Sequence, residues 1–172
     1  MKDFLTLAAE RYSVRSFKPD PVSDEDIVKI LEAAKLAPTA RNDQPQKIYV
    51  LKSPEAIEKI NSVSPCIYGA PLVFAIGWDP AIAAPSNIEE GYCMGDIDST
   101  IVCAHMILEA ADLGLGSCWV GRFVSEEVKA ALGLPAEVKI RHLLPVGYPT
   151  DDCVPAPKHT DYRPMDTIVT EL

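Results

Sequence analysis

Two arginines and a serine lie close together near the amino terminus. Arg11 and Arg15 are four residues apart, with Ser13 between them, in the segment R-Y-S-V-R-S-F. If this segment is extended, all three side chains share one face; if it is helical, the two arginines do. Either geometry directs two guanidinium groups the same way, which suits an anion. The alternative is a solvated basic turn that pairs with nearby carboxylates, and the segment alone does not separate the two.

A polar loop bracketed by prolines, from Ala37 to Pro45, is the second candidate region. Short polar side chains follow each other here, among them Thr39, Asn42 and Gln44. Prolines stiffen such a loop, and its side-chain amides can donate and accept hydrogen bonds at fixed positions. The loop therefore suits a ligand, although its composition is also that of an ordinary connection between a helix and a strand.

A short apolar segment with glycines, Ser117–Phe123, is the third candidate region. It follows a long apolar helix that we expect to start near Asp96 and to end at Gly114 and Gly116, because glycine accepts the left-handed geometry of a helix end. Beside glycine the backbone can approach a flat ligand closely and offer it N–H groups. The alternative interpretation is a tight turn after a core helix.

Cysteines and histidines form no pattern typical of a metal site or a nucleophile. The five cysteines are widely spaced without a C-x-x-C pair, so neither a zinc or iron–sulfur site nor a disulfide framework is predicted. His105 falls in the predicted long helix and His142 in a predicted strand, where a satisfied core histidine is expected. The sequence has no H-E-x-x-H, G-x-S-x-G or Walker A motif. We therefore expect no metal and no catalytic side chain.

Length and composition indicate one globular domain over residues 1–172. Hydrophobic residues make up 48% of the chain and charged residues 24%, as in ordinary globular proteins. The net charge of −9 argues against a nucleic-acid partner, which needs a basic surface. No apolar run approaches the ~18 residues of a membrane span, and the first residues lack the build of a signal peptide. A cytoplasmic enzyme or binding protein is expected.

Periodicity and turn residues predict alternating helices and strands. The predicted helices cover residues 2–10, 23–37, 53–60, 96–113 and 125–132, and the predicted strands 47–51, 71–78 and 138–144. Ser23 and Ser125 are predicted helix caps. Residues 79–95 have no clear period and are predicted to form a lid or a substrate-facing loop.

The long helix is predicted to be buried on most sides, in the core or against a partner subunit, because its apolar residues cover most of its circumference. The predicted stripe consists of Ile97, Ile101, Ala104, Leu108, Ala111 and Leu115. Residues 150–172 contain three prolines that prevent regular helix up to Pro164. This extension ends in apolar residues that need a surface, and we expect that surface to be a symmetric partner subunit.

Five motifs occur in order along nearly the whole chain: R-Y-S-V-R-S-F, A-P-T-A-R-N-D-Q-P, G-L-G-S-C-W-V-G-R-F, L-P-V-G-Y-P and Y-R-P-M-D. Together they resemble the FMN-dependent nitroreductase family. The resemblance implies an α+β fold with a central mixed or antiparallel sheet between helices. It also implies an intertwined homodimer with one FMN in each of two sites at the subunit interface.

The resemblance also implies roles for individual residues. Arg11 and Arg163 match residues on the FMN phosphate, Ser13 matches one on the phosphate and ribityl chain, and Arg15 falls on the flavin N1/O2 edge. The loop that reaches the flavin from the other subunit corresponds to Pro38, Thr39, Ala40 and Asn42, and Gln44 fits as a further amide partner. The turn whose backbone N–H groups face flavin N5 and O4 corresponds to Val120, Gly121 and Arg122. The complete implied cofactor site is Arg11, Tyr12, Ser13, Arg15, Pro38, Thr39, Ala40, Asn42, Gln44, Val120, Gly121, Arg122 and Arg163.

The chain departs from the family pattern in three places. Asp161 stands where a basic residue is usual, and Lys158 or His159 are candidates to replace it. The segment before Asp96 is shorter than the helical insertion that covers the flavin in many members. Arg122 stands where a small residue is common, as a candidate ligand for an acidic substrate or a nicotinamide phosphate, or as a surface salt bridge.

The expected activity is that of an FMN-dependent oxidoreductase. NAD(P)H would donate hydride to flavin N5, and a nitroaromatic, quinone or similar small flat acceptor would then be reduced at the same face by a ping-pong mechanism. Arg15 would stabilise the negative charge of the reduced ring, and the Gly121 backbone would hold N5. The alternatives are a redox sensor or flavin reservoir without NAD(P)H turnover, and another chemistry on the same scaffold.

Overall fold

Five α-helices and a four-stranded sheet make up the fold in the computed structural model, which describes residues 3–85 and 92–172. The helices are α1 (Phe4–Glu10), α2 (Asp24–Leu36), α3 (Pro54–Val63), α4 (Met94–Asp112) and α5 (Ser125–Leu132). The strands are β1 (Gln46–Leu51), β2 (Leu72–Trp78), β3 (Gly116–Ser117) and β4 (Lys139–Gly147). Short 3₁₀ turns cover Ala40–Asn42, Pro157–Thr160 and Met165–Thr167.

The sheet has the order β1-β2-β4-β3, and all three strand pairs are antiparallel. Every residue of β2 is buried, as expected for an inner strand covered on both faces. One face packs on α2 and α4 through Phe74 and Leu144, and the other packs on α3 and α5 through Val73 and Leu143. The predicted α+β fold, with its sheet between helices, is confirmed, and the sheet is antiparallel.

Of the two predicted helix caps, Ser23 is confirmed and Ser125 is not, and Ser53 caps a further helix. The Ser23 hydroxyl accepts the Asp26 N–H at 3.1 Å, and the Ser53 hydroxyl accepts the Ala56 N–H at 3.2 Å. The prediction that Ser125 caps α5 is wrong. Ser125 is the first helical residue, and Val124 occupies the cap position without a side-chain hydrogen bond.

The buried face of α4 is not the predicted stripe. Val102, Cys103, Met106 and Ala110 are fully buried against the sheet and α2, whereas the predicted stripe from Ile97 to Ala111 is only half-buried. A helix that is apolar on two faces gives two stripes of equal quality, so periodicity cannot choose between them. The second stripe remains available to a partner.

The first part of the carboxyl-terminal extension is attached to the amino-terminal segment of its own chain. The Tyr12 hydroxyl donates to the Cys153 carbonyl at 3.1 Å, and His159 Nε2 lies 2.9 Å from the Ala9 carbonyl. Beyond Thr160 every residue is exposed, including Met165. The predicted loop 79–95 includes residues 86–91, which lie outside the described residues. Within the described ranges no helix is both long and apolar enough to cross a membrane.

Gly95, at the start of α4, lets the helix lie directly on Trp78. A Cβ built at Gly95 would stand 2.2 Å from the Trp78 ring, which is itself held by a hydrogen bond from Nε1 to Asp96. Glycine to alanine inside a helix normally stabilises by about 0.5–1 kcal/mol. We expect the opposite for Gly95→Ala, a loss of about 1–3 kcal/mol from overpacking, measured by urea denaturation.

Gly121→Ala is the matched control for this prediction, because a Cβ there meets no atom within 4 Å. Its free energy of unfolding should stay within about 0.5 kcal/mol of wild type. A stabilised Gly95→Ala protein would contradict the close contact of α4 with Trp78.

Candidate functional site

The arginine segment runs along the short strand β3. The Val14 N–H donates to the Ser117 carbonyl at 2.9 Å, and Ser13 pairs with Ser117 in a parallel bridge. Val14 is buried, which turns Arg15 outward to the surface. The structure therefore brings the first and third candidate regions together at one edge of the sheet.

Arg15 lies beside a cluster of Cys66, Tyr68 and Cys118 that the sequence patterns did not indicate. The Tyr68 phenol lies near Cys66 and Arg15. The neighbouring Cys66 thiol and burial raise the pKa of Tyr68, while Arg15 opposes this. Burial raises the pKa of the Cys118 thiol, and the nearby guanidinium of Arg15 lowers it. The only sequence signal here was Tyr-Gly at a turn.

Tyr68 has a left-handed backbone with φ of 58°, followed by Gly69 at 75°. This conformation is costly for an aromatic residue and persists only where the surroundings impose it. Here it aims the phenol at Arg15, so a strained turn supports the candidate anion site.

The turn after β3 offers free backbone donors on an open side. The Val120 N–H is used inside the fold, donating to the Leu143 carbonyl at 2.9 Å. Among the described residues, no acceptor is found for the N–H groups of Gly121 and Arg122. Because a Cβ at Gly121 would meet nothing within 4 Å, a flat ligand can approach there. Arg122 is exposed and forms no ion pair with the described residues, so the salt-bridge alternative has no partner there.

The proline-bracketed loop is strained and fixed from below. Arg41, Asn42 and Gln44 all have positive φ, between 52° and 57°, an arrangement that costs energy at each residue. The Thr39 hydroxyl accepts the Gln44 N–H at 3.1 Å, which closes the loop. Asp98, on α4, accepts the Ala40 N–H at 2.9 Å and is 2% exposed. Sequence reasoning treated Asp98 only as part of a helix start.

Within one chain this loop does not meet the arginine segment. The loop leads into β1 at one edge of the sheet, whereas Ser13 bridges β3 at the other edge. Three strand spacings separate these edges, about 14 Å. The two candidate regions therefore lie at opposite edges of the sheet within one chain.

The carboxyl-terminal extension returns to the arginine segment. The His159 ring lies edge-on to the Tyr12 ring at 6.1 Å. Lys158, Asp161 and Arg163 are exposed, and Arg163 contacts no described residue through a hydrogen bond or ion pair. Of the two candidates to replace the missing basic residue, His159 is therefore the one attached beside Arg11 and Tyr12.

A cavity of about 170 Å³ adjoins the arginine segment. Arg11 and Tyr12 line one side of it, and Gly114, Ser117 and Pro149 line the other. Ser13, Arg15 and the Val120–Arg122 turn are not among its walls. Of the candidate site, the cavity therefore includes only the part around Arg11 and Tyr12.

A hydrogen-bonded network holds Trp119, the residue before the open turn. Trp119 Nε1 donates to His142 Nδ1 at 3.0 Å, and the rings meet edge-on at 5.1 Å. His142 Nε2 lies 3.3 Å from the Thr100 hydroxyl, which donates to the Asp96 carbonyl at 2.7 Å. Because Nδ1 accepts, His142 is neutral and carries its proton on Nε2. The expectation of a satisfied histidine is confirmed.

His105 is half-buried on α4, with Nδ1 2.9 Å from the Ile101 carbonyl. It also has a hydrogen-bond partner, but it lies on the outer stripe rather than in the core. Across the described parts of the chain, no group of histidine, cysteine and carboxylate side chains could hold a metal ion.

Comparison with known proteins agrees with this fold and site. The model of the nitroreductase family matches residues 8–65 and 62–148. A relative from Archaeoglobus fulgidus, provisionally named NADH dehydrogenase/NAD(P)H nitroreductase, is 32% identical over 88% of each chain. A nitroreductase family protein from Clostridium difficile 630 is 32% identical, with a TM-score of 0.91 over 98% of each chain. The chain belongs to the nitroreductase family of oxidoreductases.

A more distant structure extends the comparison of the fold. A Desulfovibrio desulfuricans protein crystallised in complex with FMN has a TM-score of 0.82 and 22% identity. The match covers 100% of this chain and 98% of that one. The fold is therefore shared with a protein solved with FMN.

Because His142 is partly buried, we expect the folded protein to lose stability at acid pH. Burial lowers the pKa of His142 from 6.5 to about 4, with Arg141 also lowering it and Asp96 opposing. The unfolded chain binds a proton below pH 6.5 and the folded chain only near pH 4, so stability falls as the pH drops between these values. We expect a loss on the order of 2 kcal/mol for this half-buried ring, measured by urea denaturation from pH 7 to 4.5.

His142→Asn is the matched control, since its amide oxygen can still accept the Trp119 N–H but does not titrate. The variant should lose less stability than wild type over this pH range. An equal loss in both proteins would show that His142 is not the group responsible.

Proposed function

We propose that the protein is an FMN-dependent oxidoreductase that oxidises NAD(P)H and reduces a small flat acceptor by a ping-pong mechanism. The observation that supports this most directly is the edge of the sheet where the arginine segment bridges β3 at Ser117, a few residues before Gly121 and Arg122, whose N–H groups have no acceptor among the described residues. Bound FMN would supply the redox chemistry, taking hydride from NAD(P)H and passing it to a nitroaromatic, quinone or similar acceptor.

The residues present fit this cofactor. Arg11, with Ser13 and the cavity beside Tyr12, offers a cation and a hydroxyl to a phosphate. Gly121 and Arg122 offer two backbone donors on an open face, whereas Val120 contributes only its side chain, because its N–H and its carbonyl are both hydrogen-bonded to Leu143. These donors orient a flat polar edge without a group that titrates.

Arg15 would tune the cofactor rather than react. A cation held at the pyrimidine edge of the ring stabilises negative charge that develops there on reduction. Tyr68 lies near this guanidinium. This role needs neither a nucleophile nor an acid–base pair.

The cofactor site would be completed by a second copy of the chain. Pro38, Thr39, Ala40, Asn42 and Gln44 are too far from the arginine segment of their own chain, and the strained loop that carries them is held rigid by Asp98. Such a loop is suited to reach into a neighbouring subunit. We propose a homodimer in which each site takes its arginines from one chain and this loop from the other.

An apolar groove is the proposed dimer surface. Phe4, Leu7, Leu36, His105 and Leu108 line a depression of about 360 Å³ between α1, α2 and α4. Phe4 and Leu36 are 66% and 77% exposed in the single chain, and the second apolar stripe of α4 adjoins them. The exposed apolar tail beyond Thr160 would pack on the partner and bring Arg163 to the phosphate.

Arg15→Ala tests the proposed role of Arg15. We expect the variant to keep bound FMN and an unchanged melting temperature, but to be reduced by NADH or NADPH at least about ten-fold more slowly. The measurement is anaerobic stopped-flow bleaching of the flavin absorbance. Lys18→Ala is the control, because Lys18 is a nearby exposed cation already paired with Asp151 at 2.6 Å.

A wild-type rate of reduction in Arg15→Ala would contradict that role. A wild-type protein that binds FMN but is not bleached by either nucleotide would favour the flavin reservoir or sensor instead. Purified protein without flavin, whose melting temperature does not rise with added FMN, would contradict the proposed function altogether.

Leu36→Asp tests the dimer. A carboxylate placed in the groove would be desolvated on association, so we expect a monomer by sedimentation velocity, with FMN affinity reduced at least ten-fold. Val124→Asp is the control, because Val124 is 53% exposed but lies on the opposite side of the sheet. A dimeric Leu36→Asp protein would place the interface elsewhere.

Removal of residues 161–172, in the same assay, should weaken the dimer and FMN binding if the tail packs on the partner.

A further inference from the structure

A β-bulge in β4 places two adjacent side chains on the same side of the sheet. His142 pairs with Ile76 and Ile140 pairs with Gly77, so Arg141 is the extra residue. Neighbouring residues of a regular strand point to opposite faces, but here His142 contacts Thr100 and Arg141 contacts Asp96. Thr100 and Asp96 are one turn apart on α4. Bulges of this kind re-aim side chains and are frequent beside active sites.

Gly77 is what permits the bulge. A Cβ at Gly77 would stand 2.2 Å from the Lys139 carbonyl oxygen and 2.9 Å from the Ile140 Cα. The backbones therefore approach more closely than any side chain would allow. The position of Arg141 is thus fixed by the strand pairing and not by a loop that could relax.

Trp119 is a rigid aromatic surface at this position. It is 38% exposed, yet its N–H is satisfied by His142 and its ring is braced by the imidazole edge. A half-exposed indole that is held on one side offers a large apolar face at low entropic cost, as aromatic anchors do in binding sites. It directly precedes the open Val120–Arg122 turn.

Asp96 holds Arg141 through only one of its three guanidinium nitrogens. Its Nε donates to Asp96, which also accepts from Trp78 Nε1 at 2.7 Å. Its side chain is 44% exposed, and within residues 3–85 and 92–172 its ion pair with Asp96 is the only one it forms. An arginine held through Nε still presents two terminal NH₂ groups, the arrangement that binds a carboxylate in a bidentate manner.

We propose that Trp119 and Arg141 form a subsite for the acceptor, and that it selects flat aromatic molecules bearing a carboxylate. The indole stacks on the aromatic ring, and the guanidinium binds the anion. This inference rests on the proposed function, because it needs the acceptor to be reduced beside the Val120–Arg122 turn. It goes beyond that function by naming the charge of the preferred acceptor and the two residues that recognise it.

Binding of an unreactive pair of ligands tests the subsite without turnover. Benzoate and benzamide have the same shape and differ in charge, and neither carries a nitro group. By isothermal titration calorimetry on the FMN-loaded protein, wild type should bind benzoate about ten-fold more tightly than benzamide. Arg141→Gln should remove this difference, Arg141→Lys should retain most of it, and Trp119→Ala should weaken both ligands.

Turnover with the corresponding nitro compounds is the second readout. Arg141→Gln should raise KM for 4-nitrobenzoate about ten-fold, with kcat and the KM for 4-nitrobenzamide unchanged. Lys139→Gln is the matched control, since it removes an exposed cation from the same strand without touching the network. Arg122→Gln is the competing variant, because Arg122 is an exposed cation in the turn itself.

The outcomes of these experiments distinguish failure of the proposed subsite from failure of the proposed function. A protein that binds FMN and is bleached by NAD(P)H, but binds benzoate and benzamide equally, overturns the subsite and leaves the oxidoreductase intact. Loss of the charge preference in Arg122→Gln or Lys139→Gln, with Arg141→Gln like wild type, also overturns it. A chain that binds no FMN overturns the proposed function itself.

Discussion

Two carboxylates at the start of α4 connect the parts of the molecule on which the candidate site depends. Asp96 accepts hydrogen bonds from Trp78 at the end of β2 and from Arg141 in the β4 bulge. Asp98, two residues further along α4 and buried, accepts from Ala40 in the strained loop. These contacts link the sheet, the bulge and the loop to one helix.

The turn after β3 is held in place by hydrogen bonds and still offers backbone N–H donors to a ligand. At the turn, the N–H groups of Gly121 and Arg122 have no acceptor among the described residues, while Val120 and Leu143 exchange both of their backbone hydrogen bonds beside it. Backbone strain is stored in two turns, at Tyr68 and at Arg41–Gln44, each fixed by a neighbouring side chain. Strain of this kind is typical of sites that hold a ligand in one orientation.

The arginine segment and the proline-bracketed loop are the two candidate binding regions, and they lie apart within one chain. The arginine segment lies at the β3 edge and the loop at the β1 edge, so folding alone does not complete the proposed site. Under the proposed homodimer, cofactor binding and association are linked, and each stabilises the other. The half-buried outer stripe of α4 then has the same role as the loop, since both are available only to another subunit.

Local patterns in the sequence predicted the five helices and three of the four strands, but not the two-residue strand β3. Ser23 and Ser53 start helices because their hydroxyls cap free N–H groups, β2 is continuous and apolar because both its faces are covered, and five ordered motifs indicated the family. The tertiary structure alone decided which stripe of α4 faces the sheet and that Arg141 and His142 share a side. Each depends on partners far along the chain: α4 has two apolar stripes of similar quality, and the bulge exists only where β4 pairs with Gly77. Periodicity records the local repeat of a helix or strand, but not the register that long-range pairing imposes.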